Sequence, residues 1–172
     1  ETDVAMLNGA YLFIQPPDGE VALSRRGDFG VDTENRLVDG AGNLILSDGL
    51  QPIILPPFTA IKFSDNGEVL VHQPGALPGD FTSVGFLGSA SPPTNSLTKS
   101  LDGKIRNLDG SVPDVDQSGL FAQGVLEGSN VNAIEEMVFN MDMQRQFEIN
   151  VKLIKQAEEI DKSGTKLMGL PT

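Results

Sequence analysis

Hydrophobic and polar positions change rhythm once along this chain, near residue 130. Before that point, short apolar runs alternate with Gly, Pro, Asn and Asp, the pattern of brief strands joined by turns. Residues 4–7 and 10–14 predict two strands around Asn8-Gly9, a dipeptide suited to left-handed turns, and so a hairpin or a kinked strand. Asp18-Gly19 turns the chain into a strand at 21–24, Gly27 punctuates it, and residues 29–31 run on toward a turn at Glu34-Asn35. Leu37-Val38 and the apolar runs 44–46 and 53–55 follow, closing at Pro56-Pro57. The best-marked hairpin joins 59–63 to 68–72 through Asp65-Asn66-Gly67, with apolar and polar residues largely alternating. Residues 73–80 read as a loop, 81–87 as a further strand, and 89–96 as a polar, proline-containing connection. The stretch 97–116 is weakly patterned and reads as exposed, although Asp102-Gly103 repeats the turn chemistry of Asp18-Gly19 and Asn66-Gly67. The unequal intervals between these turns indicate repeated hairpins, not a solenoid.

After residue 130 the pattern becomes helical. Residues 132–163 contain neither proline nor glycine and are mostly good helix formers. Asn132 is placed to cap the first turn, with Glu135 three positions on, as in a capping box. Glu135 and Glu136 suit the positive end of the helix dipole; Lys152, Lys155, Lys162 and Lys166 lie toward the negative end. Gly164 loosens the last turns, and Gly169-Leu170-Pro171 is a stop signal. Such a helix is roughly 50 Å long at about 1.5 Å per residue. At about 100° per position, Ile134, Met137, Val138 and Met141 share one face. Met143, Phe147, Ile154 and Ala157 lie nearly opposite, with Ile149, Leu153, Ile160 and Leu167 on the flank and Val151 completing the apolar set. A helix lying on its own domain needs only one apolar face, so this one is expected to meet partners on several sides. A core helix of a compact domain is the competing reading, and a length of about 35 residues weighs against it.

Composition narrows the function. The 19 glycines and 11 prolines, most of them before residue 130, indicate a β-rich body. A formal charge of −12, from 24 acidic and 12 basic residues, opposes binding to nucleic acid or anionic lipid. With no cysteine, neither a disulfide framework nor a thiolate metal site is available. No run of about 18 apolar residues is present to span a bilayer. Glu1 begins no recognisable signal peptide, and the missing initiator Met points to processing or trimming.

Catalytic and cofactor signatures are weak. His72, the only histidine, stands at the end of an expected strand and is better explained structurally. The 39–43 loop lacks EF-hand spacing and the bidentate Glu, and Gly40-Ala41-Gly42 continues to no third glycine and helix start. Glu135/Glu136 and Glu158/Glu159 are adjacent along a helix and point apart, which suits capping and solvation better than acid–base work. No catalytic residue, cofactor-binding residue or metal ligand is therefore assigned. Arg25-Arg26, a basic pair in an acidic chain, is by default a surface salt bridge and is worth testing as an interface contact. Four of the five methionines lie in the helix, where they suit an adaptable interface or ordinary core filling alike.

The segment Leu126-Glu127-Gly128-Ser129-Asn130-Val131-Asn132, with Glu135-Glu136-Met137 and Gln144-Arg145-Gln146-Phe147-Glu148 after it, resembles the C-terminal signature of the bacterial flagellar rod and hook proteins. Asp3-Val4-Ala5, Gly9-Ala10-Tyr11-Leu12-Phe13, Ser24-Arg25-Arg26-Gly27-Asp28-Phe29 and Leu37-Val38, then Gly42 and Leu46, resemble the start of that family's core domain. Where the family usually has glycine this chain has Asn35, the non-glycine residue best able to take positive φ, so the turn is expected to survive. Val125 and Phe147 stand where distal-rod and hook relatives commonly have an aromatic and a tyrosine, which favours the proximal-rod type with the distal-rod type as neighbour.

The resemblance implies a mainly β body, an irregular antiparallel β-sandwich or barrel-like domain, plus one long C-terminal α-helix. It divides the chain into a body at 1–118, a connector at 119–131 and an axial helix at 132–168. Family members normally carry a further N-terminal helix and linker that pair with the C-terminal helix and bear export information; this chain starts after them. The implied function is that of a structural subunit exported by the flagellar secretion system. It self-assembles and co-assembles with other rod proteins into the axial tube that carries torque across the periplasm, with no small-molecule substrate, nucleic acid or membrane insertion. A secreted β-domain binding module dimerised by its helix is the alternative, and an enzyme ranks third. With Tyr11 the only tyrosine and no tryptophan, a sugar-stacking platform is disfavoured.

Overall fold

Three open antiparallel sheets and one long helix make up the computed structural model, which describes residues 2–17 and 19–169 with the side chains of 165, 167 and 168 left aside. Asp18 of the expected turn, the side chain of Leu167, and Leu170-Pro171 of the expected stop lie outside the described residues. The strands are β1 (Val4–Leu7), β2 (Tyr11–Gln15), β3 (Ala22–Ser24), β4 (Phe29–Val31), β5 (Leu37–Asp39), β6 (Leu44–Ile45), β7 (Ala60–Phe63), β8 (Glu68–His72), β9 (Thr82–Phe86), β10 (Ser89–Ala90), β11 (Leu97–Lys99), β12 (Ile105–Asn107) and β13 (Leu120–Gln123). A 3-10 turn at Thr94–Ser96 precedes β11, and α1 (Ala133–Met168) ends the chain's regular structure. The chain forms two units, Glu1–Gly128 and Ser129–Thr172. No helix among the described residues is long and apolar enough to cross a membrane.

The largest sheet has the order β11-β12-β3-β2-β6-β5-β4, with β10 also paired to β2. Among the described residues none of the sheets closes into a barrel. β2 lies at its centre because both of its faces are apolar. Leu12 and Ile14 join the main core with Val4, Leu37, Val69, Val71 and Phe121, while Phe13, on the other face, packs in a second cluster with Leu23, Leu46 and Ala90. The hairpin β7–β8 forms with Ala60 opposite His72 and Phe63 opposite Val69, and β9 extends it. Along β8, Val69 and Val71 are fully buried while Glu68, Leu70 and His72 are half-buried, the alternation read from the sequence. Asn35 takes φ 59°, so the turn before β5 forms with asparagine in the left-handed position.

Three expectations are corrected. Asn8 and Gly9 do take positive φ, 56° and 70°, and the Ala10 N–H donates to the Leu7 carbonyl at 3.3 Å. Of the hairpin and the kinked strand expected here, the hairpin is excluded, because β1 pairs with β13 and β2 with β3, β6 and β10; the turn is a corner between two sheets. The stretch 97–116 is not simply exposed, since β11 and β12 form a hairpin whose Ile105 registers with Leu23 of the main sheet. Leu97 and Ile105 cover the Phe13 cluster, so burial against it outweighs weak local patterning. The polar 89–96 connection likewise contains β10, whose Ser89 is fully buried.

Candidate assembly surface

Helix α1 supplies the apolar surface. Asn132 caps it, its side-chain carbonyl accepting from the Ile134 N–H at 3.1 Å and its backbone carbonyl from Glu136 at 3.1 Å. Glu135 and Glu136 stand in its first turn and Lys166 in its last, matching the dipole at both ends. Along the 36 residues between, large apolar side chains are exposed on every side, among them Ile134, Met137, Val138, Met141, Met143, Ile149, Leu153 and Ile160. Phe147 is 70% exposed and Ile154 61%, values foreign to core residues of these types. Ala157 is exposed as well, and Val151 alone of the expected interface residues is half-buried. Phe139, 61% exposed, is an equivalent residue that the facial grouping missed. Its signal is the i, i+4 series Phe139, Met143, Phe147, which extends the face of Met143, Phe147, Ile154 and Ala157 toward the N-terminal end.

The motif residues sort into two groups. On the body, Gly27 brings the chain so close to β1 that a side-chain carbon there would overlap the Val4 carbonyl, and the Val4 N–H donates back to the Gly27 carbonyl at 2.9 Å. Phe29 is buried against Phe63, rings 5.5 Å apart and edge-on. Arg25 grips Glu127 with two parallel hydrogen bonds, Nε to Oε2 at 2.6 Å and Nη2 to Oε1 at 2.8 Å. Its remaining donors reach the Ala10 carbonyl at 3.1 Å and the Met6 carbonyl at 3.3 Å, and its guanidinium sits 5.6 Å above the Tyr11 ring. Two motifs separated by about a hundred residues thus meet where the body ends. Arg26 instead pairs with Asp28 at 2.5 Å and, through that hydrogen bond, holds the Asp28 carboxyl below the ordinary carboxylate range. Leu126 and Val131 are exposed, Asn130 likewise, and Ser129 Oγ accepts from the Val131 N–H at 3.1 Å. Arg145 and Glu148 lie exposed on α1.

Gln123 was not singled out by sequence. Its side-chain amide imitates a strand, accepting from the Phe63 N–H at 2.9 Å and donating to the Ile61 carbonyl at 3.4 Å along the edge of β7. No periodic pattern reports such a role. The 39–43 loop is held by Asp39, 3% exposed, which accepts from the Ala41 and Asn43 N–H groups at 2.9 Å and from Asn43 Nδ2 at 2.6 Å. His72 likewise has structural partners, the Thr59 hydroxyl at 2.9 Å and the Leu77 carbonyl at 3.1 Å.

The Arg25–Glu127 pair is bidentate yet partly exposed, with 27% and 41% of the side chains accessible. In a double-mutant cycle of Arg25→Ala and Glu127→Ala we expect a coupling of about 1 kcal/mol in thermal unfolding. Additive single effects, within about 0.3 kcal/mol, would show that the two motifs fold independently.

Two family descriptions match this chain, one within the β body and one over its last strand and the helix. The "Flagellar hook protein FlgE/F/G D1 domain" matches residues 6–71, and the "Flagellar basal body rod FlgEFG protein C-terminal" matches residues 122–167. The chain belongs to this flagellar rod and hook family and is a basal-body rod protein of the FlgF/FlgG kind. Similar proteins include the flagellar basal-body rod protein FlgF of Salmonella typhimurium, 29% identical over 98% of this chain and 68% of that protein. The rod proteins FlgG of Borreliella burgdorferi and of Agrobacterium fabrum are each 32% identical over 92% of this chain, covering 62% and 61% of their own lengths. The chain therefore spans about two thirds of these relatives.

Proposed function

We propose that this chain is a structural subunit of the flagellar rod, packing through α1 against copies of itself and other rod proteins to form the torque-carrying axial tube. The observation that carries this reading is the ring of exposed Ile, Met, Leu and Phe side chains around a 36-residue helix. Covering each such side chain is worth about 1.5–3 kcal/mol, so many repeated helix contacts add up to a stiff polymer. The partly exposed residues 134, 137, 138, 141, 147, 149, 151, 153, 154, 157 and 160 are the proposed contacts, and the β body is the outer layer that spaces neighbours. No turnover, cofactor or metal enters this role. Export by the flagellar secretion system and a place in the periplasm-spanning part of the basal body belong to the same proposal. Val125 and Phe147 favour the proximal position.

Complementation tests it. The full-length gene carrying this chain is expected to restore rods and swimming to a strain lacking its own proximal-rod gene, and to do so less well in a strain lacking the distal-rod gene. Normal rods and swimming in cells from which the gene has been deleted would remove the proposal.

A further inference from the structure

The hairpin β11–β12 carries a charge that opposes that of the body as a whole. Residues 1–128 carry 17 acidic and 7 basic side chains, whereas the hairpin carries Lys99, Lys104 and Arg106 against Asp102 alone. Arg106 is spent within the hairpin on Asp102 at 2.8 Å. Neither Lys99 nor Lys104 forms a side-chain ion pair among the described residues, although the Lys104 charge helps hold the Asp102 carboxyl below its ordinary range. β11 is also the last strand of the largest sheet, bonded to β12 on one side only. At the turn between the two strands Leu101 is fully exposed. A free edge, two lysines outside any ion pair and a protruding leucine describe a contact surface for an acidic partner.

The body itself bears the complementary surface. Asp65 and Glu68 flank the β7–β8 turn, and Glu68 registers with Phe86, whose carbonyl accepts from the Asp48 N–H at 3.2 Å. Asp48, Asp65 and Glu68 thus gather at one end of the three-stranded sheet with no ion-pair partner among the described residues. We infer that the β11–β12 hairpin of one copy docks on this acidic turn of a second copy. Unlike surfaces meet in such a contact, so it is heterologous: a rotation that closes gives a ring, and one that does not gives the helical repeat of a tubular assembly. The inference rests on the rod reading and adds the body contact that sets the order of neighbours.

The chain has no cysteine, so a Lys104→Cys, Asp65→Cys double variant reports the contact directly. In basal bodies purified from cells expressing the full-length protein, oxidation is expected to give a disulfide-linked ladder of this chain. Lys99→Glu with Lys104→Glu is expected to lower incorporation at least tenfold, and adding Asp65→Lys with Glu68→Lys to the same chain is expected to restore it. Absence of the ladder, full incorporation of the lysine variants, or failure of the double reversal overturns the contact. If the unaltered chain is itself absent from basal bodies, the rod reading falls; if it is present while the lysine variants incorporate equally, only the hairpin contact falls.

Discussion

Replacing Phe147 and Ile154 with glutamine in the full-length protein is expected to leave the unfolding temperature of the β body unchanged and to remove the chain from assembled rods. In the free chain both side chains are exposed, so polar replacements there sit within about 0.5 kcal/mol of neutral. Glutamine is also a good helix former, and the capped ends of α1 are untouched. On the proposed rod reading, the same positions are covered in an assembled tube. Two lost hydrophobic side chains and two buried amides then cost about 5 kcal/mol per contact, more than about a thousandfold in its association constant. The paired measurement is thermal unfolding of the purified variant together with its abundance in isolated basal bodies. Equal abundance of variant and parent would end the idea that these faces are assembly contacts.

Much of this architecture was legible in the sequence because the signals that define it are local. The capped, proline-free run that became α1 needs only neighbours three and four residues away, and the Asp65-Asn66-Gly67 hairpin is likewise set by a turn and two alternating strands. What escaped depends on partners distant in the chain. The Asn8-Gly9 turn was right in conformation, but β1 is held by β13, more than a hundred residues away. Leu97 and Ile105 gave too little pattern for strands, and only the Phe13 cluster beneath them explains why they are strands. The candidate site divides the same way. The apolar helix positions could be read from spacing, whereas the meeting of Arg25 with Glu127 and the strand-like role of Gln123 follow from the closure of the body by its last strand.

The largest stability effect is expected at Gly27, for a reason of space alone. The added carbon of Gly27→Ala would fall on the Val4 carbonyl, which is backbone and has no rotamer to move away. Val4 is fully buried, and its N–H donates to the Gly27 carbonyl; beside it, Asp3 and Asp28 are bridged as strand neighbours. Separating the two segments to admit a methyl group breaks that bond and shifts β1, which carries Val4 and Met6 into the main core. Overpacking of this kind combined with a lost buried hydrogen bond costs about 3 kcal/mol or more, which lowers the melting temperature of a body this size by on the order of 10 °C. Gly9→Ala is the matched comparison. Gly9 has φ 70° and open space around its missing side chain, so only the left-handed conformation is penalised, by about 1 kcal/mol. Thermal unfolding of the two variants separates close approach from backbone conformation. Equal losses would mean that β1 moves freely at Gly27 and that the motif glycine is not there for contact.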